Sequence, residues 1–244
     1  MKIRTLLCWL GFLTYAAIVS AQDPTKVAPE AYKRQFENEW VKVTRVHYGP
    51  YAKVPIHDHT RWPAAYVYLN NSGPINFTHV GWDEPVLTRP PTKAGSFRLS
   101  PTTAVGETHR VENPTGIPSD FLRVEFKTES VDRELMRGHF ERKTPPSARN
   151  SRKVEFENGQ IRVTRLLGAP HRALDLNPAS TRPALIVALT SGRVSSTGER
   201  ATTKTLEPGN TVWIGSGHRE RLENLGDAPI ELLMFDLKTS PANP

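Results

Sequence analysis

The chain has 244 residues, a formal net charge of +7 and one cysteine, Cys8. A single cysteine excludes a framework of disulfide bonds within the chain, so the core alone must stabilise the fold. The lysine and arginine residues are scattered and do not alternate with aromatic residues, which argues against a nucleic-acid partner and favours small anionic molecules.

The N-terminus has the pattern of a secretory signal peptide over residues 1–21. Basic residues precede an apolar run from Leu6 to Val19, and small residues form a cleavage site that ends at Ala21. The run is shorter than the ~20 residues that a membrane-spanning helix needs. We therefore expect a secreted or periplasmic protein with no stable membrane insertion after cleavage, and the alternative is a single membrane anchor. Cleavage would also remove Cys8.

The rest of the chain contains an internal duplication. FENEWVKVTRVHYGP at 36–50 matches FENGQIRVTRLLGAP at 156–170 with an offset of 120 residues. HRVENPTGIPSDFLRVEFKT at 109–128 matches ERLENLGDAPIELLMFDLKT at 220–239 with an offset of 111 residues. Two ordered matches of this kind indicate two copies of one structural unit.

Each copy is rich in short β-favouring runs, such as VKVTRV, FLRVEFK and IELLMFDL, separated by turn residues. This pattern predicts an all-β protein with a first domain at 22–128 and a second at 153–244. Between them, at 129–152, Ser130 as an N-cap and Gly138 as a stop predict one short helix followed by a polar linker.

Two histidines stand one residue apart in a predicted strand of the first copy. Successive side chains of a strand point to opposite faces, so His57 and His59 lie on the same face, about 6.6 Å apart along the chain, and Asp58 lies on the other. Two imidazoles on one face indicate a metal site. The alternative is a solvent-facing loop in which the pair has no such role.

A second motif accompanies this pair. Gly49 precedes HDH at 57–59, and Gly95 precedes GETHRVEN at 106–113. A glycine with His-X-His, followed by Gly-X-X-His-X-X-X-Asn, is similar to the two-part motif of the cupin superfamily. Because the duplication covers both copies, the chain resembles a bicupin, with two tandem jelly-roll β-barrels joined by the short helix and linker.

The resemblance implies one metal ion in the first barrel, bound by His57, His59 and His109. It implies a divalent transition metal, with iron favoured and zinc, manganese, nickel or copper as alternatives. The chain departs from the family where a glutamate is expected after the second histidine, since Pro63 and Ala64 occupy those positions. Glu107 is a candidate substitute for this missing carboxylate.

Four further residues are candidates for the pocket. Arg61, Tyr66 and Tyr68 follow the histidine pair and are expected at its mouth, with packing inside the barrel as the alternative for the tyrosines. Asn113 has the strand parity of His109 and faces either the cavity or a structural contact. The other histidines are assigned to the surface or to packing, namely His47, His79, His139, His171 and His218.

The second copy lacks the metal-binding residues. At the two offsets, the positions of the three histidines hold Asn177, Ala179 and Glu220. We expect a degenerate barrel without a metal, and the alternative is a different site built from Asp175, His218 and Glu220.

A three-histidine site resembles that of iron-dependent cupin dioxygenases, which suggests oxygenation of a small anionic or enolisable substrate. The alternatives are a non-catalytic module that binds a small molecule or sugar, and a zinc-dependent hydrolase or isomerase. A homodimer is a further possible partner arrangement, which the sequence does not decide.

Overall fold

The computed structural model describes residues 22–101, 107–131, 136–143, 149–196 and 202–242. The signal peptide predicted for residues 1–21 lies outside these ranges. Within them, no helix has the length and apolar character that crossing a membrane requires.

Among its described residues, the first part of the chain, up to Phe140, contains one short helix and ten strands. They are α1 (Pro24–Val27), β1 (Tyr32–Glu37), β2 (Val41–Tyr48), β3 (Lys53–His59), β4 (Ala64–Tyr68), β5 (Ile75–His79), β6 (Val86–Arg89), β7 (Phe97–Ser100), β8 (Glu107–Glu112), β9 (Ser119–Phe126) and β10 (Gly138–Phe140).

The described residues after Phe140 contain nine strands. They are β11 (Ser151–Glu157), β12 (Ile161–Gly168), β13 (Ala173–Asp175), β14 (Ala184–Ala188), β15 (Gly192–Ser196), β16 (Thr203–Leu206), β17 (Thr211–Ile214), β18 (Arg221–Asn224) and β19 (Ile230–Leu237).

The strands form two jelly-roll units with the same topology, which confirms the prediction of two all-β barrels. The first unit has a sheet in the order β1-β2-β9-β4-β7-β10 and a smaller sheet in the order β3-β8-β5-β6. The second has sheets in the orders β11-β12-β19-β14-β17 and β13-β18-β15-β16. In each unit the inner faces of the two sheets enclose a lumen.

The larger sheets of the two units pack against each other. Along β9, Phe121 and Arg123 point into the first lumen, while Leu122 and Phe126 point the other way. The outward residues belong to one apolar cluster that also contains residues of the second barrel, and the rings of Phe126 and Phe235 lie 5.7 Å apart. These strands are therefore buried on both faces.

The segment between the barrels differs from the prediction. The helix expected from Ser130 to Gly138 falls largely on residues 132–135, which lie outside the described residues. The segment that follows is not a free linker, because Gly138–Phe140 form β10 and extend the first large sheet by pairing with β7. The ring of Phe140 stacks on Phe97 at 4.5 Å, and this contact anchors the strand.

Candidate metal centre

Two neighbouring strands of the first barrel place four side chains with metal-binding atoms in the lumen. In the antiparallel pair of β3 and β8, His57 lies opposite His109 and His59 lies opposite Glu107. A bulge between Val54 and His57 sets this register. Because side chains alternate along each strand, all four project from the same face as a two-by-two array.

The three imidazole rings form a nearly equilateral triangle. The ring centroids of His57 and His109 are 4.8 Å apart, and each of them is 4.9 Å from that of His59. The Nε2 atoms of His57 and His59 are separated by 3.2 Å, close to the distance between two nitrogen atoms that each bind one metal ion at ~2.1 Å. All three side chains are buried. The structure thus brings together the three residues that the family resemblance implied.

Hydrogen bonds fix the tautomer of His57. Its Nδ1 atom lies 2.8 Å from the carbonyl oxygen of Pro55, which can only accept, so Nδ1 carries the proton. The Nε2 atom then presents its lone pair to the lumen and accepts a hydrogen bond from the hydroxyl of Tyr32 at 2.9 Å. A neutral imidazole with this tautomer is the form that a metal ligand requires.

Burial keeps the triangle uncharged. It lowers the pKa of His57 to about 4 and that of His59 well below its usual range. Burial also lowers the pKa of His109, although the carboxylate of Glu107 opposes the effect. At neutral pH the three side chains are therefore neutral imidazoles, which bind a metal without first losing a proton.

A fourth histidine lies beside the triangle. His79 faces His109 across the pair of β5 and β8, and its Nε2 atom is 2.8 Å from Oε1 of Glu107. The indole of Trp82 stacks on His79 at 3.9 Å. From the sequence, His79 is expected at the surface or in packing. The structure instead places it beside the triangle, in contact with Glu107. No local sequence motif marks His79, and only the register of β5 against β8 reveals its position.

Glu107 is ionised in this setting. Burial alone would raise its pKa, but hydrogen bonds and charge interactions with His109 and His79 lower it overall, well below its usual range. Its Oε1 atom lies 3.2 Å from Nδ1 of His109. Among the described residues, two groups hold metal-binding atoms within 4.8 Å of one another. One is His57, His59 and His109, and the other is His79, Glu107 and His109.

A cavity of about 180 Å³ opens in front of the imidazoles. Of the predicted pocket residues, Tyr66 lines this cavity, together with Arg89, Arg98 and Arg123. Tyr68 lines a neighbouring chamber instead. The guanidinium of Arg98 lies 4.5 Å above the ring of Tyr66. The three arginines were not singled out from the sequence, because they lie on three different strands, β6, β7 and β9, and only the folded sheets bring them together.

The other two predicted pocket residues lie elsewhere. Arg61 is exposed, outside the set of residues that line the cavity. The side-chain amide of Asn113 donates to the carbonyl oxygens of Gly49 at 2.8 Å and Ile117 at 2.9 Å. Asn224 makes the equivalent contacts in the second barrel. Asn113 is therefore a structural residue that ties two loops together.

The second lumen is filled with apolar side chains at the equivalent place. The register of β13 against β18 is continuous, and the backbone N–H of Leu176 donates to the backbone carbonyl oxygen of Glu220 at 2.8 Å. Leu176, rather than Asn177, is therefore the counterpart of His57, because the constant offset ignored the bulge in β3. Leu176 is fully buried in the apolar core of this barrel. The same shift makes Pro178, not Ala179, the counterpart of the second histidine.

The alternative site in the second barrel is not assembled. Asp175 is exposed and lies 3.6 Å from the guanidinium of Arg221. His218 is also exposed, and its Nδ1 atom lies 3.0 Å from the carbonyl oxygen of Ser216. Within the described part of the chain, neither residue joins Glu220 in a metal-binding group.

No family model matches the sequence, and no curated protein matches it. Solved structures do match the fold. A cupin 2 conserved barrel domain protein from Leptotrichia buccalis has a TM-score of 0.51 and 10% identity, over 85% of this chain and 88% of that one. The chain has the cupin fold. Its two barrels repeat this fold in tandem.

Two further solved structures match this fold. AerE from Microcystis aeruginosa has a TM-score of 0.56 and 12% identity, over 85% of this chain and 97% of that one. Salicylate 1,2-dioxygenase from Pseudoaminobacter salicylatoxidans, solved as adducts with gentisate, has a TM-score of 0.52 and 14% identity, over 81% of this chain and 68% of that one. At these identities the likeness establishes the fold, and the chemistry must be argued from the site.

Proposed function

We propose that the chain is an exported, metal-binding bicupin and that its first barrel is an iron-dependent dioxygenase for a small anionic or enolisable substrate. The observation that carries this proposal is the convergence of His57, His59 and His109, as neutral imidazoles, at the end of a cavity lined by arginines. The shared fold with a salicylate dioxygenase shows that this framework can hold an oxygenase, and the choice of reaction rests on the donor set.

The donor set fits one divalent transition metal. Imidazole nitrogens suit iron, zinc, copper and nickel, and a carboxylate oxygen extends this range to manganese. We propose that His57, His59 and His109 bind the ion. Glu107 lies in the adjoining group with His79 and His109, and we propose that its carboxylate turns from His79 toward the ion as a fourth ligand. Glu107 would thereby replace the carboxylate missing at Pro63 and Ala64. A bound ferrous ion supplies the redox chemistry of an oxygenase, which zinc does not.

The residues around the cavity favour an anion. Arg123 is buried beside the imidazoles, and its Nε atom has no hydrogen-bond partner. Its Nη2 atom is 3.4 Å from Glu125, which balances part of its charge. Arg89 and Arg98 add two more positive charges to the wall. An anionic substrate would satisfy these donors and orient itself toward the metal ligands.

The decisive experiment is reconstitution of the mature chain. Protein purified without tags or added metal is analysed for metals, then loaded with Fe(II) or Zn(II) under anaerobic conditions. Oxygen uptake is measured with a panel of small carboxylates and enolisable keto acids. We expect one metal ion per chain and oxygen consumption with iron only. Turnover with zinc would support the hydrolase or isomerase, and binding without turnover would support the binding module.

Export is tested separately by N-terminal sequencing of the protein from its native cell envelope or medium. We expect the mature chain to begin at Gln22. A cytosolic protein that retains Met1 would contradict the proposed export.

A further inference from the structure

A second chamber, of about 200 Å³, adjoins the metal cavity. The two share Leu87, Arg89 and Arg98, and the second is also lined by Tyr68 and His139. Among the described residues, none that line this outer chamber is acidic. Its walls therefore combine positive charge and hydroxyl groups without a compensating carboxylate.

Three residues that line this chamber carry buried donor atoms without a hydrogen-bond partner in the described part of the chain. The Nε atoms of Arg89 and Arg98 and the hydroxyl of Tyr68 are buried without a hydrogen bond. Arg89 uses one Nη atom to donate to Ser119 at 3.0 Å. Within the described part of the chain, neither arginine forms an ion pair. Because unpaired buried donors are costly, three of them around one cavity indicate a ligand that accepts hydrogen bonds.

A row of paired residues connects this chamber to the metal centre. Arg123 on β9 lies opposite Tyr66 on β4, Tyr66 lies opposite Arg98 on β7, and Arg98 lies opposite His139 on β10. Neighbouring strands are about 4.8 Å apart, so Arg123 and Arg98 are separated by about 10 Å. The guanidinium groups of both arginines lie within cation–π distance of the Tyr66 ring. Two guanidinium groups thus lie in a row between the imidazole triangle and the edge of the sheet.

We propose that the outer chamber is a second anion-binding subsite and that the substrate is an elongated dianion. One anionic end reaches the metal centre, and a carboxylate or phosphate at the other end is bound by Arg89, Arg98 and His139, with Tyr68 donating a further hydrogen bond. The assignment of the reacting end rests on the proposed function, whereas binding at the outer chamber does not.

The first test is a series of ligands of increasing length. Calorimetry on the metal-loaded protein compares straight-chain dicarboxylates, carboxyalkyl phosphonates and monocarboxylates of the same length. We expect one chain length at which a dianion binds at least ~10-fold more tightly than the monocarboxylate, as two charge-assisted sites imply. The series that binds more tightly, dicarboxylate or phosphonate, shows which anionic group the outer chamber prefers. A full metal content without a dianion advantage at any length would overturn the proposal.

Substitutions locate the effect. Arg98→Gln should remove the affinity advantage of the dianion over the monocarboxylate and leave the metal content unchanged. Arg98→Lys, which retains the charge but loses the planar fork, should give an intermediate affinity. Arg110→Gln is the matched control, because Arg110 is exposed on β8. An equal loss in the Arg110 variant would show that general surface charge, not the chamber, binds the ligand.

The second test separates this proposal from the proposed function. Inorganic phosphate is titrated into the metal-free His57→Ala variant, with and without Arg98→Gln. We expect phosphate binding that weakens at least ~10-fold when Arg98 is replaced. If the unmutated protein takes up no metal but phosphate still binds, the subsite is retained and the proposed metal enzyme is rejected. Metal uptake together with phosphate binding that ignores Arg98 would reject the subsite and retain the metal enzyme.

Discussion

The hydroxyl of Tyr32 lies 2.9 Å from Nε2 of His57, on the lone pair that a metal ligand must use. Because Nδ1 of His57 donates to Pro55, the Nε2 atom is the acceptor in this hydrogen bond. The same hydroxyl lies 2.6 Å from that of Tyr48. A metal ion on Nε2 and the hydrogen bond from Tyr32 exclude each other, so this residue competes with the metal.

Replacing Tyr32 by phenylalanine should therefore strengthen metal binding. A hydrogen bond of this kind is worth about 0.5–1.5 kcal/mol, which corresponds to a roughly 2- to 10-fold change in affinity. Titration against a competing chelator measures the change, with Tyr51→Phe at an exposed position as the control. Weaker metal binding in Tyr32→Phe would mean that the hydroxyl supports the bound metal instead.

Replacing His57 or His109 by alanine should remove the metal and leave the barrel folded. The second barrel shows that this framework folds with apolar residues in its lumen. Circular dichroism should remain β-type. With metal in excess, the bound ion stabilises the unmutated protein, and the variants lose this part of the free energy of unfolding. The loss is about 2.7 kcal/mol when the free metal concentration is 100-fold above its Kd. Elemental analysis gives the metal content.

His47→Ala is the matched control for these two variants, because His47 is exposed on β2. It should retain one metal ion per chain. Two ions per chain in the unmutated protein, or full metal content after both site substitutions, would show that the site has been misplaced.

The metal-free protein should lose stability as the pH falls below about 6.5. The pKa of His57 is about 4 in the folded state, below its usual value of 6.5, so the unfolded state binds the proton more tightly. The contribution of His57 is present above pH 6.5 and is lost progressively down to about pH 4, with an order of magnitude of 3 kcal/mol. Urea unfolding at several pH values measures this slope. His57→Gln should reduce the dependence of the unfolding free energy on pH between 4 and 6.5. An unchanged dependence would contradict the lowered pKa of His57.

Leu176→Ala should destabilise the second barrel without changing the metal content of the first. Leu176 is fully buried, and removing a buried leucine side chain costs about 2–5 kcal/mol. Val154→Ala at an exposed position of β11 is the control and should change stability by less than about 0.5 kcal/mol. Loss of metal from Leu176→Ala would show that the two lumens are coupled.

The sequence predicted the features that are local or repeated. The duplication identified two units, strand alternation placed His57 and His59 on one face, and the resemblance to the cupin motif implied that His109 joins them. Such patterns are visible because strand alternation depends only on neighbouring positions. The all-β class therefore follows from the local sequence pattern, whereas the complete histidine cluster was implied by the family resemblance.

The remaining features depend on strand register, which the sequence does not display. His79 reaches Glu107 only because β5 pairs with β8. Arg98 and Arg123 line one cavity because both face the lumen from strands separated by β4. The bulge in β3 displaced the counterpart of His57 by one residue, to Leu176. Long-range pairing, rather than local propensity, decided each of these cases.

The packing of the two large sheets through Phe126 and Phe235 has a consequence for how the halves can diverge. Two separate copies that met in this way would form an isologous dimer, in which every substitution appears on both sides of the interface. The covalent tether removes this symmetry requirement and holds the partners at a high effective concentration regardless of dilution. One half is thereby free to specialise as a scaffold that covers the apolar outward face of the other half's larger sheet.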